Sequence, residues 1–451
     1  MFITIKTIRN LLSSILLLIL FPALLQAQIS TTTNKTSSES LWEGTSDFQI
    51  RGYSTGGYST VEDEDGSFFL GKFNPLFLWR HGDKFLFESE AELELEGDEV
   101  ELALEYANFS YIINNYVTFR VGKFLTPFGA FVPNIHPNWI NKLPTFPVGL
   151  ANMVRPGSEI GAELRGAASI GPSRINYSFY LSNGPSLSIN VPEEEETEGA
   201  QAGTKNTVEP AKLTNTSPAE SGSIATVNFG SVEDNNNSPA VGGRLGFSPF
   251  NNSNLEVGFS GQFSKIGDSD TPFEDVNSKA FAIDGTYIKN SFSAIKGNLD
   301  IRGQWTRSGF DNFNVTLPDG DALAIDLDQD SYYAQIAYRP AMLNSSFMSK
   351  LEFVVRYSNF DAPTPPAEVE EEETVARSVI NSIKFSENSP ATTLDSAPAT
   401  GATIVDREEI SIGIDFWLSW RSVLKLNYEV EYLDGNNENI SSFFATWAFG
   451  F

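Results

Sequence analysis

Cysteine is absent from all 451 residues, methionine occurs four times and histidine twice. Without thiols there is no disulfide framework, no thiolate zinc or iron–sulfur site, and no lipid-modified cysteine after an export signal. Basic residues are scarce too, 30 against 58 acidic ones for a formal net charge of −28, which argues against nucleic acid as a partner. Past the first 27 residues no apolar run reaches 18 residues, and this excludes a helical membrane protein. If the chain spans a membrane, only a closed barrel satisfies its backbone.

The amino-terminal stretch reads as an export signal. Lys6 and Arg9 precede an apolar run from Leu11 to Leu25, and Ala27 offers a small residue for cleavage. An uncleaved anchor is the other reading, but the run is short, broken by Pro22 and followed by a Ser/Thr-rich stretch. Residues 1–27 are therefore taken as signal peptide, 28–47 as a short periplasmic segment, and 48–451 as one β-domain.

Within that domain the period is two. Val117, Phe119 and Val121 share one face while Thr118, Arg120 and Gly122 share the other; Ile410, Ile412, Ile414 and Phe416 oppose Glu409, Ser411 and Asp415. Sixteen such segments are predicted, near 48–58, 68–80, 84–96, 100–113, 116–124, 158–170, 173–182, 239–248, 254–264, 278–288, 295–306, 331–340, 349–360, 406–416, 421–432 and 440–451. Soluble sandwich strands alternate as well, so the connections carry more weight. Every second one is short, and the others include 125–157, 183–238, 307–330 and 361–405, read as long external loops. That sorting, with both ends on the short-turn side, fits an all-β, transmembrane antiparallel β-barrel of about sixteen strands in the outer membrane of a Gram-negative cell.

The acidic tracts Glu193–Glu196 with Glu198, and Glu368 with Glu370–Glu373, read as solvated low-complexity loop, or as ligands for divalent cations bridging surface lipid. The last segment places Phe443, Ala445, Trp447, Phe449 and Phe451 on one face. An aromatic-rich final strand closing on Phe451 resembles the signal read by barrel-insertion machinery.

Candidate functional residues follow from the same alternation. Glu88, Glu90, Glu92, Glu94 and Glu96 share one face of the third segment, and Glu101, Glu105, Glu429 and Glu431 add acid to the expected lumen. Expected inward bases include Lys84, Arg120, Arg165, Arg174, Arg302, Arg356 and Lys425. Interior charge sets ion preference, so an acid-lined, cation-leaning pore is one reading. The other is that neighbouring charges merely pair along the wall, each exposed pair contributing about 0–1 kcal/mol.

The connection 125–157 is rich in proline, aromatic and apolar residues, unlike its acidic siblings. It is expected to pack inside the barrel as a constriction, where Lys123, His136, Lys142 and Arg155 meet permeating solute. Here the stretch Arg120–Pro147, RVGKFLTPFGAFVPNIHPNWINKLPTFP, resembles the segment after an early strand in the phosphate-selective porin O and P family, GKFLTPFG above all. The resemblance implies a homotrimeric sixteen-stranded porin with an inward-folded third loop. Phosphate selectivity in that family goes with an arginine ladder and a lysine cluster; this chain shows a glutamate ladder, and Lys142 is the only lysine of the candidate loop.

The expectation is therefore a water-filled channel for ions and small hydrophilic solutes. Its partners would be outer-membrane lipid, lipopolysaccharide and the insertion machinery. No cofactor and no metal is expected. A plugged barrel serving as a surface binding or adhesion protein, and an anion-selective porin of phosphate type, are the alternatives. No catalytic residue is expected, because His81 falls in a short turn and His136 in the constriction loop, neither on a strand beside an obvious nucleophile.

Overall fold

A computed structural model describes residues 46–96, 99–153, 155–189, 225–230, 232–250, 254–316, 322–362, 384–385, 406–433 and 438–451. Residues 1–27, read above as an export signal, most of 28–47 and both acidic tracts lie outside these residues. Sixteen antiparallel strands form a closed barrel: β1 Ser46–Val61, β2 Ser67–His81, β3 Phe85–Glu96, β4 Glu99–Ile112, β5 Thr118–Leu125, β6 Ser158–Ile170, β7 Ser173–Ser182 and β8 Ala240–Ser248. The second half comprises β9 Leu255–Lys265, β10 Asn277–Phe292, β11 Gly297–Phe310, β12 Gln329–Arg339, β13 Leu351–Asp361, β14 Arg407–Ser419, β15 Ser422–Leu433 and β16 Glu438–Gly450.

Each strand pairs with its chain neighbours, and β16 returns to β1 in a register running from Tyr53 opposite Gly450 to Val61 opposite Ser442. Closure removes the open edges that a sheet in lipid could not satisfy. At the seam the Phe451 ring stacks on Phe73 at 5.8 Å, and its backbone exchanges hydrogen bonds with Gly52. A Cβ at Gly52 would sit 2.4 Å from that ring, so only glycine fits there.

The period-two pattern sorts as expected. Along β14, Ile410, Ile412 and Ile414 face outward and are exposed, while Ser411 and Asp415 point inward and are fully buried. Phe443, Trp447 and Phe449 are likewise exposed on the outer face of β16, opposite the buried Phe444, Thr446 and Ala448. An apolar outer belt on a closed, even-numbered barrel is a surface for lipid. The connections at one end, from 82–84 to 420–421, are turns; the longest, 126–157, 183–239 and 362–406, all leave from the other. This arrangement places the chain in the bacterial outer membrane.

Four register shifts occur among the described strands; those at Lys289/Phe292 and Trp417/Ser419 lie beside turns, and the other two lie within the wall. Between β1 and β2 the register moves at Ser54/Gly56, and between β3 and β4 at Glu90/Ala91, where Glu105 is the extra residue. The second is visible in the sequence: the outward set runs Val100, Leu102, Leu104, then jumps to Ala107, Phe109 and Tyr111. Beyond the barrel, Ser186–Ile189, Ala225–Asn228 and Lys384–Phe385 form a small three-stranded sheet, and Phe313–Thr316 pairs with Ala322–Ile325.

Candidate functional site

The third connection at the long-loop end, 126–157, folds inward and carries two short helical turns, α1 Phe131–Ile135 and α2 Val148–Asn152. Its proline-rich, apolar sequence cannot float in water, and the wall opposite is built to receive it. Lumen-facing positions of β10, β12 and β13 hold Ala280, Ala282, Ala337 and Val354, which pack against Phe128 and Leu143. Phe131, Val132, Ile135, Phe146 and Leu150 cluster on Tyr333, and Val148 and Met153 on Phe360. Each such fully buried large apolar side chain contributes roughly 1.5–3 kcal/mol.

Polar pins fix the register of this loop. Arg356, with no exposed surface, donates to the Thr145 carbonyl (2.8 Å), Thr145 Oγ1 (2.8 Å), the Phe146 carbonyl (2.9 Å) and Glu409 Oε1 (2.9 Å). Thr145 Oγ1 in turn donates to Glu429 Oε1 at 2.6 Å. The Lys425 ammonium donates to the carbonyls of Asn138 (2.7 Å) and Asn141. Gln304 Oε1 accepts from the backbone of Ala130 and Phe131, and Ser260 Oγ from that of Gly129.

Three expected constriction cations are thereby reassigned. Lys142 bonds Glu352 at 2.7 Å and lies over the Trp417 ring, so it anchors the loop. Arg155 is buried with its guanidinium on the Leu150 carbonyl (2.9 and 3.1 Å), and burial lowers its pKa to about 10. Lys123 belongs to β5: alternation turns Phe124 into the lumen and Lys123 outward, where its ammonium reaches the Leu104 carbonyl at 2.6 Å beside the bulge. His136 does border the lumen. Its Nδ1–H donates to the Val132 carbonyl at 2.6 Å, Nε2 has no partner among the described residues, and burial lowers its pKa to about 4, so the ring is neutral.

The glutamate column faces inward over Glu88–Glu94, but most of it is engaged. Lys72, buried on β2, bridges Glu92 (2.6 Å) and Glu94 (3.7 Å). Glu90 accepts from Tyr53 Oη (2.5 Å) and Asn74 Nδ2 (3.0 Å), and Glu105 is buried in its bulge. Glu88 stays half-exposed, and Glu101 exposed near the long-loop end; the Glu96 side chain is outside the described set. Lys72 escaped the sequence reading because strict alternation from Phe68 and Leu70 would send it into lipid, and the β1/β2 bulge turns it inward. Among the other inward charges, Arg302 holds Asp300 through two 2.7 Å bonds, and Glu431 pairs with Arg407 at 2.9 Å. Lys84 sits in a turn over the Tyr111 ring.

Beside the folded loop, toward the short-turn end, a cavity of about 900 Å³ remains. Its wall carries Arg51, Arg120, Arg165, Arg174, Arg244 and Arg421 against Glu88, Glu90, Glu163 and Glu256. Arg120 pairs closely with Glu163 and lies over Phe124, while Arg244 is held between Glu256 (3.2 Å) and Asp284 (2.6 Å). Arg165 and Arg174 have no ion-pair partner among the described residues.

No family model matches the chain. No curated protein matches it in sequence. Solved structures that resemble it include an anion-selective porin from Comamonas acidovorans (10% identity, 90% of this chain and 100% of that one, TM-score 0.49). OmpF of Salmonella typhi, in complex with daunomycin, is 11% identical over 89% of this chain and 97% of its own (TM-score 0.48). OprB of Pseudomonas putida is 9% identical over 93% and 100% (TM-score 0.46).

For catalysis the arrangement offers little. His81 accepts or donates a 2.8 Å hydrogen bond at Ser46 Oγ, a neighbour that register supplies and sequence distance hides. Its Nε2 has no partner among the described residues, and no carboxylate among them orients the ring. No group of three or more His, Asp or Glu residues that could hold a metal occurs among the described residues.

Proposed function

We propose that this barrel is a diffusion porin, passing ions and small hydrophilic solutes across the outer membrane. The observation that carries the reading is the charged cavity of about 900 Å³ left open beside a loop pinned to one side of the lumen. A plug would fill that space, and a soluble sandwich would not enclose it. The homotrimer implied by the resemblance around Arg120–Pro147, and contact with lipopolysaccharide, belong to the same reading. Phosphate specificity has less support, since Lys142, the single lysine of the loop, is spent on Glu352.

Refolded protein in a planar bilayer is expected to give stepwise, ohmic conductance in KCl. A well-folded barrel without current would instead favour the plugged, surface-binding alternative, for which the long connections 183–239 and 362–406 are the available surface.

A further inference from the structure

The two sides of the cavity differ in chemistry. From the folded loop come Pro127, Pro133, Asn134, His136, Pro137, Trp139 and Ile140, with no ionised side chain among them. Trp139 is seated, since a Cβ at Gly450 would already be 3.3 Å from its indole. Facing this lip, Arg165 stands level with Arg244 across Ser178, and Arg174 lies four residues further toward the short-turn end. The acids of the same cavity are largely spoken for: Glu90 by Tyr53 and Asn74, Glu163 by Arg120 and Ser178, Glu256 by Arg244. Glu88 makes no close ion pair among the described residues, and its charge acts on Arg120.

A fixed apolar ledge opposite unpaired guanidinium groups matches neither a simple salt ion nor a sugar. Small inorganic ions gain nothing from Trp139 and Ile140, and a neutral polyol, although its hydroxyls can accept hydrogen bonds from arginine, supplies no counter-charge to it. Arginine binds carboxylates through two parallel hydrogen bonds, and ligand sites combine apolar walls with a few placed polar groups. We propose that the preferred solute of this vestibule is an amphipathic carboxylate, its anionic end on Arg165 and Arg174 and its apolar body on the Trp139–Ile140 lip. The inference rests on the diffusion reading and names the solute class for the same lumen.

The test uses the full barrel in a planar bilayer, with benzoate, acetate and benzylammonium as probes of the KCl current. Benzoate is expected to block at about tenfold lower concentration than acetate, which lacks the apolar body, or benzylammonium, which reverses the charge. Arg165→Gln with Arg174→Gln should raise the half-blocking benzoate concentration about tenfold, and Trp139→Ala should bring benzoate to the acetate level. Both variants alter side chains at the cavity surface, and a β-sheet circular dichroism spectrum and heat-modifiable gel migration matching the parent certify that the barrel still folds. Equal block by benzoate and acetate, stronger block by benzylammonium, or arginine variants that leave the block unchanged would each overturn the inference while leaving the porin intact. Absence of any current would overturn the diffusion reading, and this inference with it.

Discussion

At the scale of single residues, the lumen separates side chains that hold the protein together from side chains that solute can reach. His136 belongs to the first group although it borders the cavity, because its ring is packed against Tyr53 and bonded to its own loop. Its pKa of about 4 lies below the ordinary 6.5, so the packed loop excludes a proton that a released loop would bind. The sign follows: packing is at full strength above about pH 6.5 and weakens as pH falls toward 4, by roughly 3 kcal/mol in all. Single-channel current is therefore expected to become noisier over that interval, and His136→Phe, which cannot be protonated, should stay quiet. Equal noise in both proteins would place the acid sensitivity elsewhere. The sequence showed that a histidine lay in the loop; it could not show that burial would silence it.

At the scale of the element, the folded-in connection is held by packing along its length and by one concentrated pin. Arg356 ties Thr145 and Phe146 to Glu409, and its loss strands a buried carboxylate at a cost of about 3–5 kcal/mol. Arg356→Met should loosen the loop from β13 and β14, seen as larger and flickering unitary conductance. A steady current of unchanged size would mean that the remaining apolar packing and the Lys425, Lys142 and Gln304 contacts hold the loop without it. That the loop would pack inside was legible from its prolines and aromatics. Its partners were not, since Arg356 and Thr145 are 211 residues apart and only barrel closure joins them.

At the scale of the whole molecule, charge is sorted along the axis. Glu101, without an ion-pair partner among the described residues, lies toward the long-loop end, and Arg165 and Arg174, offset in part by Glu88, lie toward the short-turn end. A pore with opposite fixed charge at its two ends passes current unequally in the two directions. Rectification is expected at about 0.01 M salt, where the screening length is roughly 30 Å, and should vanish near 1 M, where it is roughly 3 Å. Current–voltage curves symmetrical at both concentrations would show that pairing has cancelled the axial asymmetry. Along the glutamate column Lys72 bridges Glu92 and Glu94, while Glu90 accepts hydrogen bonds from the neutral Tyr53 and Asn74, so one positive charge on β2 faces three carboxylates on β3.

The sequence by itself determined the strands, their number, their inward and outward faces and the sorting of connections, because alternation every second residue is a local property that lipid on one side and water on the other impose directly. It also marked the loop that folds inward, through composition. Only the tertiary structure decided which charges remain free. Ion pairing depends on register between strands, and a single extra residue at a bulge moves the side chains beyond it from one face to the other, as Lys72 shows on β2 and the step from Leu104 to Ala107 on β4. It also depends on contacts such as Arg356 with Thr145 and Lys425 with Asn138, which join residues more than two hundred positions apart and exist only once the barrel has closed around its own loop.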